Sequence, residues 1–178
     1  PGQVSRRASG VWPSSKDPGS HGLCGDPKQG GTWVPHAQQT YIQSMAPERT
    51  FTAGSVVTLR VAITAHHKGH YEFRVCNVGL DAFATESEGQ ACLDRWLLER
   101  EPPPADCVPD DARADCQPLH PNQKTRWYLP PPGHGTQRAG RAWDDSMANV
   151  AQAPSEVHEM RFRIPQGLAC DHCTLQWW

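Results

Sequence analysis

The sequence is poor in aliphatic mass: valine, leucine, isoleucine and phenylalanine number 11, 10, 3 and 4 among 178 residues. In a highly charged chain so low a share signals disorder. Charge of one sign is missing too, because 17 Lys and Arg stand against 19 Asp and Glu, a formal net charge of −2 with neutral histidines. A basic footprint for nucleic acid is therefore absent, and so is an acidic tail. No apolar run reaches the roughly 18 residues that a membrane-spanning helix needs. Residues 1–20 also lack the hydrophobic segment of a secretory signal peptide. With 15 Gly and 17 Pro, turns and loops are favoured over long helices. A helical bundle, a coiled coil and a membrane protein are excluded, and the length suits one compact domain.

Seven tryptophans and seven cysteines supply what the aliphatics do not. The cysteines are Cys24, Cys76, Cys92, Cys107, Cys116, Cys170 and Cys173. That density in a small, thin-cored domain predicts a disulfide framework and an oxidising, extracellular compartment. An odd count leaves one thiol free or paired outside the chain. Cys170-x-x-Cys173 could be half of a zinc knuckle, but a second CxxC and a spaced His pair are missing. Cys107 and Cys116 are near enough in sequence to bridge each other.

Residues 1–22 are Ser-, Gly-, Pro- and Arg-rich and are expected to be disordered. Residues 23–50 read as irregular structure. In 55–64, Val57, Leu59, Val61 and Ile63 alternate with Thr58, Arg60 and Thr64, a strand buried on one face. The same period recurs in 71–75, so 55–76 is expected to be two neighbouring strands joined by a loop. Residues 91–101, with Leu93, Trp96 and Leu97 on one face, predict a helix stopped by Pro102. Short strands are expected at 127–129, around Met160, Phe162 and Ile164, and at 174–178. The last of these stops mid-pattern on Trp177 and Trp178, as a chain cut at that side would. Those two tryptophans could offer a sugar-stacking platform, although the alternation favours a core place for Trp177. Glu72 and Glu159 sit on separate strands with nothing to unite them as a glycosidase pair, which discounts hydrolysis.

Nine histidines are present, and His66, His67 and His70 fall within one short loop between two strands. Loops held by a rigid sheet are where functional side chains gather, and imidazole suits copper, zinc, iron or nickel. His172, between two cysteines, is expected to face solvent.

The string Thr64-Ala65-His66-His67-Lys68-Gly69-His70-Tyr71-Glu72-Phe73-Arg74-Val75-Cys76 resembles the T-A-x-H-x-G-x-x-x-F-x-x-C core of copper-dependent lytic polysaccharide monooxygenases. It is most similar to the animal and algal branch, a chitin-binding type-4 domain. Gly22-Leu23-Cys24-Gly25-Asp26, Cys92-Leu93-Asp94 and Cys170-Asp171-His172-Cys173-Thr174-Leu175-Gln176-Trp177 resemble further segments of that branch in the same order. The resemblance covers about residues 22–100, 126–130 and 158–178. It implies one domain over 23–178 with insertions near 102–120 and 131–157. The implied fold is all-β, an immunoglobulin- or fibronectin-like β-sandwich with long loops, one short helix and disulfides.

The resemblance further implies one copper ion held by a histidine brace: the amine and imidazole of an N-terminal His, and a second His. His67 matches the second ligand. Ala65 matches the small residue beside the open copper position, with His66 adjacent. The implied partner is insoluble polysaccharide, chitin or cellulose, cleaved oxidatively by a secreted monomer. The chain opens on Pro1 rather than His, so the first ligand is expected to be missing from it, with His21, followed by Gly22, as the alternative. The axial aromatic would fall after Trp178. The competing expectations are a non-catalytic chitin- or cellulose-binding module and a structural or zinc-binding extracellular protein.

Overall fold

A computed structural model describes Leu23, Ile42 and residues 46–63, 69–108, 116–129 and 156–178. The 1–22 segment, and the 131–157 insertion up to residue 155, lie outside the described residues. The all-β expectation holds: strands dominate, with one α-helix and three disulfides among the described residues. The strands are β1 (Val56–Ile63), β2 (His70–Tyr71), β3 (Phe73–Cys76), β4 (Glu99–Arg100), β5 (Trp127–Tyr128), β6 (Glu156–Arg163) and β7 (Thr174–Trp177). The helix α1 spans Glu86–Leu93. The chain falls into two compact units, one holding β3, α1 and β7, the other β1, β2, β4, β5 and β6.

In the second unit β6 is the central strand of an antiparallel sheet ordered β1-β6-β4. The register sets Val57 opposite Phe162, Leu59 opposite Met160 and Val61 opposite His158. Side chains alternate across a strand, so Val57, Val61, His158, Met160 and Phe162 all turn to one face and are buried. Full burial of Met160 or Phe162 stabilises by about 1.5–3 kcal/mol each. On the opposite face Arg60 pairs with Glu159 at 3.1 Å, and Arg163 reaches the Glu101 carboxylate at 2.6 Å. The missing aliphatic mass is replaced by rings. Tyr71 stacks on Trp127 with centroids 5.6 Å apart and planes 5° from parallel, and the His158 ring lies 4.8 Å from that of Trp127, tilted by 50°. The strands flanking the histidine loop are not neighbours, against expectation: β1 pairs with β6, while β2 pairs with β5. Two-residue β2 is too short to complete a ladder with eight-residue β1, which finds a full-length partner in β6.

In the first unit β3 pairs antiparallel with β7, Phe73 opposite Trp177 and Cys76 opposite Thr174. Leu23, Ile42, Cys76, Leu80, Cys92 and Leu93 form its core. Gly89 is needed where α1 closes on Leu23, since a Cβ there would collide with the Leu23 side chain. Buried Gln176 donates to the Leu23 carbonyl at 2.6 Å. The guanidinium of Arg74 pairs with Glu72 and Asp94 and lies 4.3 Å over the Trp178 ring. A cation already covers that ring, and Trp177 is half-buried.

The helix is displaced from its expected place at 91–101. It begins five residues earlier, where the Thr85 hydroxyl accepts from the Glu88 N–H and the Glu88 carboxylate accepts from the Thr85 N–H. This capping box satisfies two otherwise orphaned donors. After Leu93 the backbone leaves the helix because β3 offers it better partners. Val75 donates to the Trp96 carbonyl at 2.9 Å and Leu98 donates to Phe73 at 2.9 Å. Leu93, Trp96 and Leu97 therefore do not share a helical face.

The disulfides are Cys76–Cys92, Cys107–Cys116 and Cys170–Cys173. The local bridge expected at 107 and 116 is present, and the CxxC closes on itself rather than on zinc. Cys24, the seventh cysteine, lies outside the described residues. His172 is exposed, as expected.

Two measurements test this account. Thr85→Ala removes one half of the capping box and should cost about 1 kcal/mol in denaturant unfolding. Cys170 and Cys173 are both exposed, while Cys76 and Cys92 are buried. Limited dithiol treatment followed by alkylation and peptide mass analysis should therefore label Cys170 and Cys173 first. Equal labelling of Cys76 would contradict it.

Candidate functional site

The sequence directs attention to the segment between β1 and β2. Residues 64–68, with Ala65, His66 and His67, lie outside the described residues, as does His21. The described chain fixes both of their flanks. Ile63 closes the β1 ladder with β6. Gly69 takes φ 110°, a conformation that L side chains rarely adopt, and its carbonyl accepts from the Leu129 N–H at 2.9 Å. His70 then sits opposite Tyr128 and Tyr71 opposite Trp127. The histidine segment is thus carried between two anchored strands of one unit.

Strand β5 owes its position to a buried charge. Arg100 on β4 is 4% exposed, and its backbone faces Phe162 on β6. Its guanidinium donates to the Gln117 carbonyl at 2.7 Å, the Gln117 side-chain oxygen at 3.3 Å, the Pro118 carbonyl at 3.2 Å and the Arg126 carbonyl at 3.4 Å. Desolvation by burial lowers its pKa from the ordinary guanidinium value to about 10, so it stays charged at neutral pH. Gln117, oriented by Arg100, treats Tyr128 as a strand would. Its Nε2 donates to the Tyr128 carbonyl at 2.6 Å and its Oε1 accepts from the Tyr128 N–H at 2.8 Å. β5 is therefore held on one edge by β2 and on the other by a single amide side chain.

Tyr128 projects away from the buried Trp127, as alternation requires. Its ring is half-buried and stands between two imidazoles. His70 lies 5.6 Å away at a tilt of 51°, and exposed His120 lies 5.8 Å away at 42°. The Tyr128 hydroxyl donates to Gln123 Oε1. His120 Nδ1 accepts from the Asn122 N–H at 3.2 Å, which leaves the proton of the neutral ring on Nε2.

The sequence reading missed Tyr128, Gln117, Gln123, Arg100 and His120 as site components. Tyr128 was legible only as part of a short strand. An Arg and a Gln 17 residues apart carry no pattern that foretells a clamp. Among the described residues no group of three or more His, Cys, Asp or Glu side chains could hold a metal ion. The donor chemistry expected of residue 67 suits copper, because neutral imidazole is a good ligand for it. Among the described residues no helix is long and apolar enough to cross a membrane.

A family model described as lytic polysaccharide mono-oxygenase, cellulose-degrading, matches residues 6–178. Among solved structures, the chain is similar to a lytic polysaccharide monooxygenase AA15 from Thermobia domestica in the Cu(I) state. Identity is 22%, the TM-score is 0.39, and the match covers 71% of this chain and 43% of that one. The chain thus spans less than half the length of that relative. No curated protein matches it.

The clamp is open to a direct test. Arg100→Met keeps much of the side-chain bulk but removes this donor from the carbonyls of Gln117, Pro118 and Arg126. It should cost about 2–4 kcal/mol in unfolding free energy and open residues 116–129 to limited proteolysis.

Proposed function

The chain belongs to the lytic polysaccharide mono-oxygenase, cellulose-degrading family, and from that premise we propose that it forms part of a secreted copper oxidoreductase that cleaves chitin or cellulose. The single observation that carries this reading is the family match over residues 6–178, which takes in the histidine segment between β1 and β2. Members of this family depend on copper and act on insoluble polysaccharide. In this chain His67 is the proposed copper ligand and His66 its neighbour, while Ala65 keeps bulk away from the open coordination position. The first ligand of the brace is an N-terminal histidine in the family, and His21 is the candidate within this sequence. Copper, when bound, supplies one-electron chemistry with oxygen or peroxide that removes hydrogen from a glycosidic carbon.

The protein's own contribution is positional. β1 and the Gly69 carbonyl hold the two ends of the histidine segment. Neutral imidazole is the binding form, so affinity falls as the pH drops through the histidine range. The proposed scaffold for this site is the immunoglobulin-like sandwich implied by the sequence, acting as a monomer.

Copper titration followed by calorimetry and by the Cu(II) resonance spectrum tests the assignment. The chain should bind one equivalent, and His67→Ala should lose at least about tenfold in affinity, one good ligand's worth of binding, with the thermal unfolding midpoint unchanged. Equal copper affinity in His67→Ala would overturn it. Polysaccharide binding without copper binding would favour the non-catalytic module instead.

A further inference from the structure

We propose that His120, Tyr128 and Gln123 form a carbohydrate-contact subsite that seats a pyranose unit of the polysaccharide beside the histidine segment. The proposal rests on the family reading for its substrate and on the geometry of the 116–129 loop for its residues. Three features support it.

The first is chemistry. A pyranose presents an apolar face of C–H groups and a rim of hydroxyls, so it is recognised by a ring next to fixed donors and acceptors. Here the half-buried Tyr128 ring and the exposed His120 ring meet at 42°, making a shallow corner rather than a stacked pair. The Asn122 N–H on Nδ1 leaves His120 Nε2 as a hydrogen donor. The bond between the Tyr128 hydroxyl and Gln123 Oε1 adds a second polar edge, with the Gln123 Nε2 amide group as a further donor.

The second is preorganisation. Both backbone polar groups of Tyr128 are bound by Gln117, and Gln117 is bound by buried Arg100. A buried cation and an amide clamp are a large investment for a surface tyrosine that only fills space. Holding the ring before the ligand arrives reduces the ordering cost of binding.

The third is placement. Tyr128 lies directly opposite His70, which follows His67 by three residues. Three residues of chain span at most about 11 Å, so the subsite lies against the strand that leads directly out of the histidine segment.

The test is adsorption to microcrystalline chitin and to microcrystalline cellulose, measured as depletion isotherms with a chelator present so that copper plays no part. His120→Ala should raise the dissociation constant about fivefold to tenfold, the worth of one ring contact and one hydrogen bond. Tyr128→Phe, which keeps the ring and removes the hydroxyl, should raise it about threefold. Arg60→Ala, on the outward face of β1, should bind as the unaltered chain does. Unfolding midpoints are measured alongside, and His120, being exposed, should leave them unmoved. The proposal is overturned if His120→Ala adsorbs as tightly as the unaltered chain, or if the unaltered chain adsorbs to neither solid. Copper titration of His120→Ala separates this from the copper assignment. Normal copper affinity with lost adsorption supports both, and adsorption that depends on His120 in a chain that binds no copper keeps the subsite and removes the oxidase.

Discussion

One buried guanidinium organises the unit that carries the histidine segment. Arg100 enters the interior from β4 with no carboxylate among its hydrogen-bond acceptors, only carbonyl and amide oxygens of the 116–126 stretch. A lone charge is costly to bury, and here the cost is offset by directing several donors of one rigid fork at a loop with no helix or long strand of its own. The loop takes its shape from that fork. Because Gln117 then doubles as the second edge partner of Tyr128, the effect passes to β5, to β2 and so to the flank of the histidines. Lysine would present one nitrogen, whereas the fork delivers from both of its terminal nitrogens, Nη1 to Gln117 Oε1, Pro118 and Arg126 and Nη2 to the Gln117 carbonyl.

The same unit shows how a chain short of aliphatics builds an interior. Trp127 is fully buried in ring contact with both Tyr71 and His158. A large ring removes as much apolar surface from water as two or three smaller residues, so few positions suffice. The other unit relies on covalent closure instead. Cys76–Cys92 ties β3 to α1 within a small cluster of leucines, and the Arg74 guanidinium spans Glu72, Asp94 and the face of Trp178. Crosslinks of this kind typically contribute about 2–4 kcal/mol, a large share of what a small core can hold.

Family membership and site geometry bear on function from different directions. The match over most of the chain supplies the reaction class and the role proposed for His67. The loop geometry adds the side chains of His120, Tyr128 and Gln123, which meet beside β2. Copper chemistry needs the substrate held still at one carbon. A fixed aromatic corner on the strand that follows the ligand segment is one way to achieve it.

Much was written in the sequence. Alternation alone marked Val57 and Val61, and Met160 and Phe162, as inward residues, because a half-buried strand must present one face to the core. Cysteine spacing foretold the bridge between Cys107 and Cys116, since chain connectivity already keeps close neighbours together. Motif order pointed to the family. Strand partnership was not written there. The strands flanking the histidine segment joined different sheets, and the expected helix at 91–101 ended at Leu93, with Trp96 and Leu98 bonded to β3 and Glu99–Arg100 paired with β6, because backbone groups bond to whatever edge the rest of the chain brings near. The corner of Tyr128 and His120 belonged wholly to tertiary structure. Its members are held by Arg100 and Gln117, and a clamp made of one fork and one amide has no period or spacing by which a linear string could announce it.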